Sequence, residues 1–123
     1  MKLDYDKLHG LVPAVIQDAA TREVLMVGFM NEAAFRQTLE TGYATFLSRT
    51  RNKLWTKGET SGHRLAVRQV LVDCDNDSVV LVAEQLGPGT CHRGYRSCFF
   101  RRLEGGQAVV FQQQTFEPEG GAA

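Results

Sequence analysis

From Tyr43 onward the chain is a series of short runs rich in β-branched and aromatic residues, each broken by Gly, Asn or Asp. This punctuation restricts the fold to a mainly β architecture. The runs are Tyr43–Ser48, Lys53–Lys57, Leu65–Asp73, Ser78–Leu86, Tyr95–Leu103 and Gln107–Gln113. Evenly spaced short strands predict a barrel-like twisted sheet or a sandwich. Two earlier strands precede them, Leu11–Asp18 and the almost wholly apolar Glu23–Met30, with Asp18-Ala19-Ala20-Thr21 as the turn between. Pro13 marks the first turn or an edge position. A run as apolar as Glu23–Met30 is expected in the middle of the core, buried on both faces.

One α-helix interrupts this pattern. Asn31 is a good N-cap, Glu32 sits where the helix dipole favours an anion, and Thr41-Gly42 supplies the stop. Its apolar stripe, Phe35, Thr38 and Leu39, is narrow, so the helix is expected to cap a sheet rather than build a bundle. The class is therefore mainly β (α+β), with a barrel-like sheet capped by one helix. Residues 1–112 read as a single domain after a loosely held lead-in (1–10), and 113–123 as a flexible tail, polar and Gly-rich from Thr115 onward.

The chemistry is concentrated in two segments. Asp73-Cys74-Asp75-Asn76-Asp77 and Cys91-His92-Arg93-Gly94-Tyr95-Arg96-Ser97-Cys98 hold all three cysteines and three of the six aspartates. An odd number of cysteines, each beside charged or His residues, favours metal binding over disulfides or simple packing. If the first segment is extended, Asp73, Asp75 and Asp77 share one face and Cys74 points to the other. Three carboxylates suit Mg²⁺ or Ca²⁺, and a thiolate suits Zn²⁺. An EF-hand loop beginning at Asp73 would reach Glu84 at its twelfth position, but Ser78 stands where Gly is needed and the flanks read as strands. A solvated acidic turn without an ion is the plainer alternative.

Cys91 and Cys98, seven apart, converge only if the chain bends, which Gly94 permits. Three thiolates without an obvious fourth ligand fit a catalytic zinc with one open position. His92 can be a proton-transfer group or a fourth ligand that closes the site, and in the second case the chain is a noncatalytic structural zinc module.

Lys+Arg and Asp+Glu balance at 14 each, which argues against nonspecific nucleic-acid binding. Ten of those cations are Arg, the better fork for phosphate, so a small anionic ligand remains open. No apolar run is long enough for a membrane span and no signal-peptide pattern opens the chain, so the cytoplasm is the expected location.

Trp55-Thr56-Lys57-Gly58-Glu59-Thr60-Ser61-Gly62-His63, the Asp73–Asp77 segment and Cys91–Phe99 together resemble the phosphoribosyl-AMP cyclohydrolase family of histidine biosynthesis. Gly28-Phe29-Met30-Asn31 and Phe46-Leu47-Ser48-Arg49 are similar to it as well. The resemblance implies a cytoplasmic homodimer that hydrolyses the adenine ring of phosphoribosyl-AMP between N1 and C6, the third step of the pathway. It also implies zinc shared between subunits, bound by Cys74 of one chain with Cys91 and Cys98 of the other, and magnesium on Asp73, Asp75 and Asp77. Relatives with a second, pyrophosphohydrolase domain are longer, so that preceding step is expected on another protein.

In such an enzyme, zinc makes hydroxide available for attack at C6. His92 is the first candidate for proton transfer and His63 the second, the latter with substrate orientation or packing as its other possible role. His9, outside every motif, reads as a surface residue. Arg49, Lys57, Arg93 and Arg96 are candidates for phosphate contact, with Ser48, Thr60 and Ser61 hydroxyls and the Gly58 and Gly62 backbone in support. Trp55 can stack on the nucleotide or belong to the core, while Arg101 and Arg102 fit a solvated strand face.

Overall fold

Alternation along the first strand sets the core. In the computed structural model, which describes residues 1–118, β1 (Val12–Asp18) turns Val12, Ala14 and Ile16 fully inward. Asp18 ends it by accepting the Ala20 and Thr21 amides at 3.0 and 2.8 Å, an acidic turn that returns the chain as β2 (Val24–Met30), antiparallel to β1.

The helix α1 (Glu32–Thr41) follows at once. Asn31 caps it by accepting the Ala34 amide at 2.8 Å, and Gly42 stops it at φ 81°. Buried Thr38 ties the helix to the next strand: its hydroxyl donates to Ala34 and accepts the Thr45 amide at 3.0 Å. β3 (Thr45–Ser48) and β4 (Lys53–Thr56) form a hairpin whose Phe46 is fully buried in the same core as Ile16, Leu25, Met30, Leu65 and Leu81.

β5 (Leu65–Val72) and β6 (Val79–Gln85) complete the main sheet in the order β2-β1-β6-β5, with β6 parallel to β1. β7 (Arg101–Glu104) and β8 (Gln107–Val110) make a separate hairpin with every residue exposed.

The expected barrel does not form. A barrel needs every strand bonded on both sides, whereas β2 and β5 are edges and the four-residue strands pair only within their own hairpins. The predicted central place of the Glu23–Met30 run is corrected too, since β2 is an edge strand with Val24 and Val27 40% and 43% exposed. Within Tyr95–Leu103, the predicted strand forms only from Arg101; before it, local turn bonds take up the backbone. The lead-in is not loose, because Leu3 is buried in the core and the Asp4 amide donates to the Asn76 carbonyl at 2.6 Å.

Candidate active site

β5 ends at Val72, so residues 73–78 form a turn instead of an extended face. Asn76 enters the left-handed region at φ 64°. The Asp73 carboxylate organises this turn. It accepts the Asp77 and Ser78 amides at 3.0 and 3.3 Å and the Ser78 hydroxyl at 2.5 Å. The three carboxylates converge as expected, with one oxygen from each within 4.8 Å of the others, but tight turning brings them together, not strand alternation. Nor is Cys74 set apart on another face, since its exposed thiol lies 4.0 Å from an Asp75 oxygen. Strands on both sides rule out the EF-hand.

Lys7 from the N-terminal segment enters this cluster, its ammonium 2.6 Å from Asp75 and 3.0 Å from Asp77. A cation is thus already drawn to the position, and the oxygen donor set is the hard kind that small divalent ions prefer. The electrostatics follow these contacts. The Ser78 hydroxyl bond holds Asp73 well below the usual carboxylate range, and the Lys7 bond lowers Asp75. At Asp77 the Lys7 bond also lowers, but the neighbouring Asp73 and Asp75 carboxylates outweigh it and raise the group.

The second cysteine segment turns as Gly94 permits. Gly94 adopts φ 95°, Cys91 and Tyr95 share a 3.0 Å backbone bond, and the Cys98 amide donates to the Leu25 carbonyl at 2.8 Å. Gln85 reinforces the loop from β6 through its side-chain amide, which bonds the Thr90 hydroxyl and the Arg96 carbonyl. The bend brings the Cys91 thiol against Cys98. Partial enclosure of the otherwise exposed Cys98, reinforced by Cys91 and offset in part by Lys57, pushes its thiol up to about 11. Two adjacent thiols suit a soft cation such as zinc, and the nearby Lys57 ammonium favours the ionised form of Cys98.

Cys74 is not with them. It follows β5 at the end where Val72 pairs with Val79, whereas Cys91 follows β6 at its other end. β6 has seven residues, which at ~3.3 Å per residue separates the two ends by about 20 Å. Among the described residues the fold therefore does not gather all three thiols, and the closed site of Cys74, Cys91, Cys98 and His92 does not assemble. His92 is exposed on the cysteine loop.

His63 packs against this loop. A Cβ at Gly87 would lie 2.7 Å from His63 Cδ2, so only glycine admits the ring there. Phe116 packs against the same imidazole, the two rings perpendicular (89°) with centroids 4.9 Å apart. The segment predicted to be a tail is in contact here through Pro118, and its residues 119–123 lie outside the described ones. Nothing in the polar composition around Phe116 signalled this position.

The candidate phosphate contacts divide. Ser48, Trp55 and Thr60 line a cavity of about 540 Å³ with Arg51 and Lys53, two cations between the Phe46–Arg49 and Trp55–His63 motifs that the motif reading passed over. Trp55 packs against the core, its ring tilted against Phe46 at 5.2 Å, and also lines this cavity. Arg49 instead covers the Phe29 ring at 4.0 Å. The Ser61 hydroxyl accepts the His63 amide at 3.1 Å. Arg93 lies 5.3 Å from the Phe100 ring, and Arg96 faces a separate cavity with Glu23 and Gln112.

Residues 26–100 match the family model described as phosphoribosyl-AMP cyclohydrolase. A relative of that name from Solibacter usitatus is 58% identical over 118 residues, covering 96% of this chain and 94% of its own length. Another, from Desulforapulum autotrophicum, is 53% identical and covers 97% and 96% of the two chains. A third, from Geotalea uraniireducens, is 52% identical with 96% and 94% covered.

Proposed function

The chain belongs to the phosphoribosyl-AMP cyclohydrolase family, and we propose that it carries out that enzyme's step of histidine biosynthesis by zinc-dependent hydrolysis of the N1–C6 bond. The product is the formimino-carboxamide ribonucleotide. What carries the reading, within the membership, is the thiol pair of Cys91 and Cys98 on the same bend as His92, with Lys57 and His63 beside it.

Cys74 of one protomer would join Cys91 and Cys98 of the partner subunit around zinc. When bound, zinc supplies Lewis acidity toward water at neutral pH. Asp73, Asp75 and Asp77 would hold magnesium once Lys7 withdraws. His92, exposed on the loop, would move the proton that the leaving ring nitrogen requires, and His63 would contact the base. Lys57 and the Ser48–Thr60 cavity, with Arg51 and Lys53 added, supply donors for the phosphates. Of the remaining candidates, Arg93 and Arg96 stand on the cysteine loop, Ser61 accepts the His63 amide, and Arg49 follows Ser48 in the chain.

A homodimer is supported from both ends of the divided thiol set. Next to Cys98, the β7–β8 hairpin and its exit expose Leu103, Val110 and Phe111; next to Cys74, β5 exposes Leu71 and Val72. Adjacent apolar side chains left together at a surface favour contact with another chain. Three free cysteines are consistent with a reducing cytoplasm. Among the described residues no helix is long and apolar enough to cross a membrane.

The test is direct. Purified protein supplied with zinc and magnesium should convert phosphoribosyl-AMP to the ring-opened product, and absence of product under those conditions would refute the assignment.

A further inference from the structure

Phe116 lies outside residues 26–100, the stretch shared with the family model, yet it is fastened to that stretch at several points. The Thr115 amide donates to the Gly94 carbonyl at 2.8 Å and the Thr115 hydroxyl to the Pro88 carbonyl at 2.7 Å. The Gln114 side chain donates to the Arg93 carbonyl at 2.9 Å. Residues 114–116 therefore form a strap across the loop that carries Cys91 and His92.

The loop has been cleared to receive it. A Cβ at Gly89 would lie 2.7 Å from the Phe116 ring. With Gly87 clearing the imidazole in the same way, His63 packs against a backbone that has no side chain and, at right angles, against the rigid Phe116 ring. The Ser61 hydroxyl fixes the His63 backbone, but the described contacts give the imidazole no hydrogen-bond partner. Its orientation is thus set by packing, and Phe116 supplies the side of that packing which does not come from the loop itself.

We propose that Phe116 is a positioning residue for the ring-opening reaction, acting through His63. The strap holds the aromatic ring that aims the imidazole at the substrate. This rests on the reading of His63 as a group that meets the substrate. Displacing a contact group by about 1 Å is enough to cost on the order of a hundredfold in rate, so the effect should fall on kcat more than on KM.

The experiment compares the full-length, zinc-loaded protein with Phe116→Leu, Phe116→Tyr and His63→Gln variants. It measures kcat, KM, zinc content and the imidazole proton resonances, with His63 assigned by its loss in His63→Gln. Phe116→Leu should lower kcat about ten- to a hundredfold, shift the His63 resonances by removing the ring current, and keep zinc. Phe116→Tyr, which preserves the aromatic edge, should restore both rate and resonances. Full activity in His63→Gln overturns this proposal together with the His63 reading. Loss of rate in His63→Gln with full activity in Phe116→Leu overturns the positioning alone. Failure of Phe116→Tyr to rescue, or loss of zinc in Phe116→Leu, also overturns it and makes the strap a support for the cysteine loop.

Discussion

The Lys7 ammonium, 2.6 Å from an Asp75 carboxylate oxygen, spans 68 residues to tie the N-terminal segment to the acidic turn. The same group reaches Asp77, so it competes with any divalent ion for two of the three carboxylates. Lys7→Ala should therefore bind magnesium several-fold more tightly, as measured by calorimetry. The N-terminal segment should also become easier to cleave when magnesium is added to the parent protein. Unchanged or weaker magnesium binding in Lys7→Ala would show that Lys7 does not occupy the ion's place.

Asp73 gives the turn a pH dependence of known sign. Its hydrogen bonds to Ser78 and Asp77 favour the ionised form and hold it below the ordinary 3.8. The stabilisation is therefore full above the ordinary carboxylate value and is lost as the pH falls below it. Urea midpoints of the parent should drop through the range below about pH 4 more steeply than those of Asp73→Asn. Parallel curves would exclude a contribution from this group.

At the other segment the sign is reversed, because the Cys98 thiol is pushed up to about 11 and is protonated at neutral pH. Zinc binding must expel that proton, so apparent zinc affinity should rise about tenfold per pH unit for each thiol deprotonated. Calorimetry in buffers of different protonation enthalpy measures the release directly. Cys91→Ala and Cys98→Ala should each lose zinc and activity together, and zinc retained in either variant would remove that residue from the ligand set.

Cys74→Ala and Cys91→Ala are both expected to be inactive alone. Mixed and reassociated, they form heterodimers in which one of the two shared sites is intact. Random pairing restores roughly a quarter of the parent activity. No recovery would require that all ligands come from one chain, in conflict with the span of β6.

His92→Ala should keep its zinc and lose about 10²–10⁴-fold in kcat, the usual contribution of a proton-transfer group. Loss of zinc in this variant would make His92 a ligand instead.

How much of this could be read from the residues depended on the range of the interactions involved. The Asn31 cap and the Gly42 stop are made within one turn of the chain, and both stand where the sequence put them. The place of β2 was not legible, because an apolar run states that neighbours exist without naming them, and exposed Val24 and Val27 look the same in sequence as buried ones. The aspartates were correctly grouped for a mistaken reason: alternation along a strand and the Asp73-centred turn bring the same three carboxylates together. Arg51 and Lys53 were visible beside the motif but are joined to Ser48 and Thr60 only by the folding of β3 and β4 into a hairpin. Phe116 was the least legible, being a single aromatic among polar residues whose partners lie 53 and 22 positions earlier, at His63 and Gly94.

The length of β6, which keeps Cys74 away from Cys91 and Cys98, carries a quantitative consequence. If both ends must meet in trans, the isolated chain holds two half-sites and no whole one, so the catalyst is created by association itself. Specific activity should then fall on dilution in proportion to the dimer fraction. Zinc, by bridging two chains, would act as its own assembly signal, drawing the association constant upward in step with its supply.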